Sequence, residues 1–403
     1  MSRKKIFVLI AAILIVTVGA LTAFPLFSNG DDIPGIAPVQ DEIVDLQILC
    51  VGDIMAHMSQ VHAQQQSDGT YDFSNNFQYV KEYIQAADAA LGNVETTFGG
   101  TPYIGYPNFS SPDELATALA GAGFDVGITA NNHMLDKGKT GLLRTIDVLR
   151  KNGLQVTGSR ENAEQPRYTI YETDKGIKVG VIAYTYQTPS TGGAVAINGG
   201  VIGSDTAALI NSFSYENIAG ALAQIDDSIA QARAEGADII VMYYHWGEEY
   251  QSNANHWQRE IAEKTAAMDV DMIFASHPHN LQESEMIETA DGKQVPVFYS
   301  MGNFISNQRA ETLGSDKTRT ETGCIARVFL TYNKATKEIT AVSMDAIPTW
   351  VDRYRSGDKL TYTIVPLDRD LTSNATLAVS GHLARAKAAW EEANGLLGID
   401  GSV

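Results

Sequence analysis

The sequence contains few cysteines and few basic residues. Only two of its 403 residues are cysteines, Cys50 and Cys324, which excludes a disulfide-rich scaffold and a zinc finger built from cysteines. The chain has 29 lysines and arginines against 48 aspartates and glutamates, and its formal net charge is −19. Because phosphate contacts require a basic surface, this charge disfavours a nucleic-acid-binding function, and we expect no nucleic-acid partner.

The remaining composition is that of a folded protein. Hydrophobic residues make up 44% of the chain and charged residues 19%, which excludes an intrinsically disordered protein and allows a large core. The length permits two or three domains, although a single large α/β domain also reaches this size. Cys50 and Cys324 lie in apolar, strand-like stretches. We expect them to be buried free thiols, with a single disulfide as the alternative.

Long apolar runs are absent except near the N-terminus. The uncharged run at residues 6–24 follows three basic residues at 3–5, and as a helix it would span about 28 Å, close to the thickness of a bilayer core. The basic residues predict a cytoplasmic N-terminus. We therefore expect residues 1–27 to form a cytoplasmic tip and a transmembrane anchor, with a cleaved signal peptide as the alternative. Either interpretation exports the remaining chain, and we expect a single-pass protein of the cell membrane whose bulk is extracellular.

The exported part has the pattern of a linker followed by an α/β domain. Residues 28–44 are rich in proline and glycine, which is typical of a linker. From residue 45 to 350, short apolar runs alternate with amphipathic helices, which predicts a layered α/β domain. The predicted strands are 46–51, 89–91, 125–129, 179–184, 238–244, 272–275 and 295–300. The predicted helices are 77–87, 112–120, 140–151, 217–234 and 256–268. Residues 351–403 are predicted to be a C-terminal extension with a surface helix at 375–396.

Residues that commonly bind metals follow five of the predicted strands. In strand order they are Asp53 with His57, Asn93 with Glu95, Asn132 with His133 and Asp136, His245, and His277 with His279. A single histidine after a strand is more often structural than a ligand. Sites in α/β proteins form at the carboxyl ends of strands, however, so five such ends in succession predict one metal site. The mixture of carboxylate, amide and imidazole groups favours Mn, Fe or Zn over Mg.

The order of these motifs resembles the calcineurin-like metallophosphatase superfamily and, more closely, the CapA family of capsule synthesis proteins. The resemblance covers about residues 45–310 and rests on Gly52-Asp53-Ile54-Met55, Asn93-Val94-Glu95, Ala130-Asn131-Asn132-His133, His245-Trp246-Gly247, His277-Pro278-His279 and Tyr299-Ser300-Met301-Gly302-Asn303-Phe304. It implies an α/β fold, a four-layer α/β/β/α sandwich of the metallophosphatase type. It also implies a role in the synthesis or export of poly-γ-glutamate.

The resemblance further implies a role for each site residue, with one or two divalent ions as cofactor. Asp53, His57 and His279 correspond to ligands of a first metal, and Asn132, His245 and His277 to ligands of a second. His57 lies four residues after Asp53 instead of two, which leaves its role as a ligand open. Asn93 replaces the bridging aspartate, and we expect Glu95 to bridge because a neutral amide bridges two cations poorly. His133, oriented by Asp136, is the expected general acid.

Two functions are compatible with this sequence. The first is a membrane-anchored metallohydrolase of the phosphoesterase type that acts on a cell-envelope polymer, its precursor or its carrier. The alternative is a non-catalytic component of the capsule machinery that binds polymer through cations, with other capsule-synthesis membrane proteins as partners. His133 and Asp136 favour the enzyme, since binding alone needs no proton donor. Asn93 in place of the bridging aspartate favours the binding protein.

Overall fold

The computed structural model describes residues 42–314, 318–368 and 370–397. The predicted anchor at 1–27 and most of the predicted linker at 28–44 lie outside these residues. Within the described part of the chain, no helix combines the length and the hydrophobicity needed to cross a membrane.

The described residues form the following strands and helices. The strands are β1 (Ile43–Ile54), β2 (Ala89–Val94), β3 (Val126–Ile128), β4 (Gln155–Thr157), β5 (Tyr168–Glu172), β6 (Lys178–Tyr186), β7 (Ala196–Ile197), β8 (Gly200–Val201), β9 (Ser212–Phe213), β10 (Ile239–His245), β11 (Met272–Ser276), β12 (Ser284–Glu288), β13 (Gln294–Phe298), β14 (Asn303–Ile305), β15 (Thr322–Asn333), β16 (Glu338–Ser356) and β17 (Lys359–Pro366). The helices are α1 (Met58–Gln64), α2 (Lys81–Gln85), α3 (Glu114–Ala122), α4 (Gly138–Lys151), α5 (Ser204–Ala207), α6 (Ile218–Ala234), α7 (His256–Ala266), α8 (Ala310–Leu313), α9 (Ala375–Ser380) and α10 (Leu383–Leu397).

The strands form two large mixed sheets. The first has the order β17-β16-β15-β1-β2-β3-β4, with β14 also paired to β1, and the second has the order β12-β13-β11-β10-β6-β5, with β9 paired to β6. Strands β1 to β4 are mutually parallel, as are β6, β10, β11 and β13. The carboxyl ends of each parallel set therefore lie along one edge of its sheet.

The alternation of side chains along β1 explains how the layers stack. Ile48 and Cys50 point into a core that also contains Val181 and Phe274 of the second sheet. Leu49, one residue away, points to the opposite face, as the two-residue period of a strand requires. The two sheets therefore face each other across an apolar core.

Helices cover the outer faces of both sheets. The first sheet packs against α3 and α4 through residues such as Leu119 and Ile146. The second packs against α6 and α7 through residues such as Ile229 and Ile261. The order of layers is helix, sheet, sheet, helix, so the predicted α/β/β/α sandwich is confirmed.

Two predicted helices differ from those observed. The helix predicted at 77–87 is only the five-residue α2, because the residues before it form turns, in which the Val80 amide donates to the Phe77 carbonyl (3.1 Å). The helix predicted at 375–396 is divided into α9 and α10 by Gly381, whose φ is +72°. Leu397, the last residue of α10, reaches the core between the sheets.

The C-terminal residues extend the first sheet. The boundary predicted after residue 350 falls inside β16, which pairs with β15 before that position and with β17 after it. The segment 188–214 contains a β7–β8 hairpin, α5 and β9. Cys50 and Cys324 are buried and unpaired, as expected for free thiols.

Candidate metal centre

Five side chains predicted to bind metal meet where the carboxyl ends of the two sheets face each other. Asp53 lies at the end of β1 and Glu95 directly follows β2, whereas His245 ends β10 and His277 directly follows β11. His279 lies two residues further. All five residues are buried, with exposed fractions between 0% and 3%. The structure thus brings together residues that are more than 200 positions apart in the sequence.

Glu95 belongs to two groups of possible ligands. The ligand atoms of Glu95, His245 and His277 lie within 4.8 Å of one another, and so do those of Asp53, Glu95 and His279. Oε1 of Glu95 lies 3.8 Å from Nε2 of His245 and 4.0 Å from Nε2 of His279. A carboxylate shared by two groups in this way has the position of a bridging ligand.

Two buried atoms of this cluster lack hydrogen-bond partners among the described residues. They are Oε1 of Glu95 and Nδ1 of His277. Leaving a buried polar atom unpaired is unfavourable, and such atoms are rare in folded proteins. A divalent cation among these carboxylate and imidazole groups would satisfy both atoms. The residues present, with their mixed oxygen and nitrogen donors, therefore fit a divalent metal.

Asn93 supports the carboxylates of the cluster by donating hydrogen bonds. Its Nδ2 donates to Oδ1 of Asp53 (2.8 Å) and lies 3.4 Å from Oε2 of Glu95. Its Oδ1 accepts a hydrogen bond from Nδ2 of Asn131 (3.1 Å). Because the amide nitrogen of Asn93 faces the carboxylates, its oxygen is turned away from the centre of the cluster.

Asn132 extends the group of ligands that contains His245 and His277. Its Oδ1 lies 2.8 Å from Nε2 of His245. The loop after β3 therefore contributes to the same cluster as β10, in agreement with the order of the motifs in the sequence.

Burial and neighbouring charges shift the pKa values of the acidic residues in opposite directions. Burial raises the pKa of Glu95 well above its usual value, and the charge of Asp53 raises it further. Burial also acts to raise the pKa of Asp53, but the hydrogen bond and the charge of His279, together with hydrogen bonds from Glu95 and Asn93, leave the pKa lowered. In the absence of a cation, Asp53 is thus the ionised member of this carboxylate pair.

The pKa values of the histidines are also shifted in different directions. Burial lowers the pKa of His277 to about 3, and the nearby His279 lowers it further. Burial also lowers the pKa of His245 well below its usual value, and the neighbouring His277 and His279 lower it further. Burial also acts to lower the pKa of His279, but Asp53 outweighs it, and the pKa is raised. His245 and His277 are therefore neutral, as metal ligands must be.

The backbone at the histidines adopts an uncommon conformation. His277 has a φ of +108° and His279 a φ of +57°, and Tyr250, whose amide donates to the Pro278 carbonyl (2.7 Å), has a φ of +66°. Residues other than glycine rarely occupy this region, and such strain is concentrated at functional sites. The conformation turns both imidazoles towards the cluster on either side of Pro278.

A close contact between backbones places Asp53. A Cβ atom on Gly52 would lie 1.9 Å from the carbonyl oxygen of Gly302. The amide of Asp53 donates to the same oxygen (2.9 Å). The turn before β14 therefore packs directly beneath Asp53, and the position of this ligand depends on a glycine at position 52.

His133 and Asp136 form a pair beside the cluster. Nδ1 of His133 lies 2.8 Å from Oδ2 of Asp136, and the amide of Phe109 donates to the same oxygen (2.6 Å). The Phe109 ring contacts the His133 ring edge to face, with 4.8 Å between the ring centres. The imidazole is held on two sides, and His133 is a member of neither group of ligands.

The structure does not bring His57 into either group of ligands. The four-residue spacing after Asp53 places His57 at the start of α1, where its Nδ1 accepts a hydrogen bond from the amide of Asn307 (3.3 Å). Burial lowers its pKa to about 4, and the charge of His279 contributes. His57 is thus a neighbour of the cluster whose ring nitrogen is engaged by the backbone.

Three residues to which the sequence assigned no role contact the cluster or hold a residue beside it, although Asn131 and Asn303 lie in the motifs quoted above. Oδ1 of Asn303 lies 3.1 Å from Nδ1 of His279, and the ring of Tyr186 lies 4.7 Å from that of His277. Asn131 holds Asn93, as described above. Tyr186 ends β6, so the rule that found the other residues, polar side chains at strand ends, could also have found it.

Comparison with known proteins identifies the family of this chain. The family described as bacterial capsule synthesis protein PGA_cap matches residues 47–308. The chain belongs to this family. The matched segment contains both groups of ligands and the His133–Asp136 pair.

Individual relatives have similar descriptions. The chain is 27% identical over 282 residues to the capsule biosynthesis protein CapA of Bacillus anthracis, covering 68% of this chain and 63% of that protein. It is 26% identical over 391 residues to the PGA biosynthesis protein CapA of Bacillus subtilis (strain 168), covering 94% of this chain and 89% of that one. A solved structure of a phosphatase from Mycoplasma pneumoniae covers 76% of this chain and 95% of that chain, with 14% identity and a TM-score of 0.42.

Proposed function

We propose that this protein is a metal-dependent hydrolase of the phosphoesterase type that acts in capsule or poly-γ-glutamate synthesis. Its substrate would be a cell-envelope polymer, a precursor of that polymer or its carrier. The observation that supports this proposal most strongly is the unpartnered, fully buried Oε1 of Glu95, which two groups of ligands share. Family membership supports the biological process.

The ligands would divide between two cations. Asp53, Glu95 and His279 would hold one ion, and Glu95, His245 and His277, together with Asn132, would hold the other. A pair of divalent ions supplies Lewis acidity and activates a water molecule at neutral pH. Asn93 would keep the carboxylate of Asp53 oriented through its hydrogen bond.

His133 would supply the proton that the leaving group requires. Asp136 engages Nδ1 of His133, so Nε2 is the nitrogen available for proton transfer. The contacts of Asp136 with Phe109 fix the carboxylate, which in turn fixes the imidazole. A positioned general acid of this kind typically contributes about 10²–10⁴-fold to a rate.

The proposed cellular location follows from the N-terminal sequence. An uncleaved apolar helix at residues 6–24 would anchor the protein in the cell membrane with the catalytic domain outside. There it would meet the polymer and other membrane proteins of capsule synthesis. Because the net charge of the chain is −19, an anionic polymer would approach the site through bound cations.

One observation favours the non-catalytic alternative. Asn93 is neutral and lies between Asp53 and His245, at the position where the resemblance implies a bridging aspartate. Its Nδ2 donates to Oδ1 of Asp53 and lies 3.4 Å from Nδ1 of His245. A centre that has exchanged this carboxylate for an amide carries less negative charge. It could hold a cation for polymer binding without performing hydrolysis.

The two functions can be separated with purified full-length protein. We expect protein loaded with Mn, Fe or Zn to hydrolyse bis(p-nitrophenyl) phosphate, and we expect chelation to abolish this activity. A variant with His277→Ala and His279→Ala should lose the activity. His62→Ala, which alters an exposed histidine, should retain it. Binding of poly-γ-glutamate by the metal-loaded protein without hydrolysis of the ester would favour the alternative.

A further inference from the structure

Arg160 is a buried positive charge without an acidic partner. The residue is 4% exposed. Its Nη1 donates to Oδ1 of Asn211 (2.7 Å) and its Nη2 donates to the carbonyl of Ala208. Its Nε is buried and has no acceptor among the described residues. No carboxylate of the described residues forms a salt bridge with Arg160, and neutral groups alone do not compensate a buried charge.

A second arginine lies beside the first. Nη1 of Arg167 donates to the carbonyl of Ile210 (3.1 Å) and to Oδ1 of Asn211 (3.0 Å). Asn211 thus accepts from both guanidinium groups through one oxygen and holds two like charges together. Burial lowers the pKa of Arg160 to about 10, and the charge of Arg167 contributes. Two like charges held this close would be stabilised by an anion.

Both arginines line one cavity. It has a volume of about 210 Å³, and its charged or phenolic lining side chains are Arg150, Arg160, Arg167, Tyr168 and Glu235. A water molecule occupies about 30 Å³ of liquid, so the cavity has room for an anion of several heavy atoms. Arg150 forms a salt bridge with Glu161, whereas Arg160 and Arg167 form no salt bridge among the described residues, in a chain whose net charge is −19.

Tyr168 adds a hydroxyl group to the cavity. This buried hydroxyl forms no hydrogen bond of ordinary geometry among the described residues, but it lies close enough to the Glu235 carboxylate to interact with it. Burial raises the pKa of Tyr168 to about 12, and the neighbouring Glu235 contributes. The hydroxyl therefore keeps its proton at neutral pH and can donate it in a hydrogen bond.

We propose that this cavity is a binding site for a small oxyanion, a carboxylate or a phosphate group, held by Arg160 and Arg167. Planar guanidinium groups bind both kinds of oxyanion through paired N–H donors. None of these residues belongs to the metal centre, so the proposal does not depend on hydrolysis.

The cavity adjoins the segment that leads to the metal centre. Arg160 follows the carboxyl end of β4, which is parallel to β3. Oγ of Ser159 lies 2.7 Å from Oγ1 of Thr129, and a Cβ on Gly158 would lie 2.5 Å from the amide nitrogen of Ala130. The two sites are therefore built on adjacent strand ends of the first sheet.

Calorimetric titration of the full-length protein with inorganic phosphate and with L-glutamate tests the site. The titrations use the variant with His277→Ala and His279→Ala, so that phosphate cannot bind through metals. We expect at least one of the two probes to bind, and Arg167→Gln in this background to weaken its binding at least about tenfold, the effect of losing a charged hydrogen bond. Arg355→Gln, which removes an exposed charge elsewhere, should leave the affinity unchanged. Binding of phosphate alone or of glutamate alone identifies the class of ligand.

Two outcomes would overturn the proposal. One is the absence of binding of both probes, and the other is an equal affinity for Arg167→Gln and Arg355→Gln. If the histidine variant does not fold, the metal-loaded wild type replaces it, and Arg167→Gln should then lose one of two phosphate sites while keeping its metal content. If metal-loaded Arg167→Gln kept both phosphate sites, the proposed oxyanion site would also be contradicted.

Discussion

Oδ2 of Asp53 lies 2.9 Å from Nδ1 of His279, although Asp53 is the penultimate residue of a strand of the first sheet and His279 follows a strand of the second. This contact joins the carboxyl ends of the two sheets, and Glu95, from the first sheet, lies within reach of both groups of histidines. A cation bound here would therefore link the two halves of the sandwich.

Metal binding should stabilise the fold because it connects both sheets. Adding Mn or Zn at 100 times its dissociation constant should stabilise the protein by about 2.7 kcal/mol, and EDTA should reverse the effect. Differential scanning calorimetry of the purified protein would measure the shift in melting temperature. The variant with His277→Ala and His279→Ala serves as the control, and an equal shift in that variant would show that the metal binds elsewhere.

Glu95→Gln should reduce binding at both metal positions. The substitution keeps the size of the side chain but removes the charge that both groups of ligands share. His245→Ala, which alters one group only, should leave about one ion per chain. Metal analysis after gel filtration would give the stoichiometries. If Glu95→Gln retained as much metal as His245→Ala, Glu95 would not bridge the two positions.

Metal affinity should still rise with pH near neutral pH, where an ordinary carboxyl group is already ionised. Burial and the charge of Asp53 hold the pKa of Glu95 above its usual value, and Asp53 holds that of His279 above its own. Both groups therefore retain protons that a cation must displace, so affinity falls as the pH falls. Titrations in buffers of different ionisation enthalpy at pH 7 should detect proton release. An identical binding enthalpy in all buffers would contradict this expectation.

Much of the fold and most of the centre could be predicted because both depend on local patterns. Apolar runs such as 46–51 predict buried strands, and polar residues after them must lie at a sheet edge. The environment of His57 could not be predicted, since it depends on Asn307, which is 250 residues away in the sequence. The cavity at Arg160 was also missed, because Asn211, which joins its two arginines, lies in a segment without a periodic pattern.

Gly52→Ala should destabilise the protein, because the new methyl group would meet the carbonyl oxygen of Gly302 at 1.9 Å. Overpacking of this kind costs about 1–3 kcal/mol, and the contact is with backbone, which yields less than a side chain. Gly121→Ala is the matched control, since it adds the same methyl group to α3 with no atom within 4 Å and should be neutral or stabilising. Urea denaturation would measure both. Equal stabilities of the two variants would show that the turn at Gly302 can move.

The pair formed by His133 and Asp136 distinguishes an enzyme from a binding protein. His133 follows Asn132 directly, but its ring is held by Asp136 at 2.8 Å and lies outside both groups of ligands. His133→Ala should therefore keep its metal content while losing about 10²–10⁴-fold in turnover of bis(p-nitrophenyl) phosphate. Asp136→Asn should show a smaller loss of the same kind, because it disturbs only the orientation of the imidazole. If His133→Ala supported normal polymer production in cells while Glu95→Gln did not, proton transfer would be unnecessary, and the centre would act by binding its ligand through metal alone.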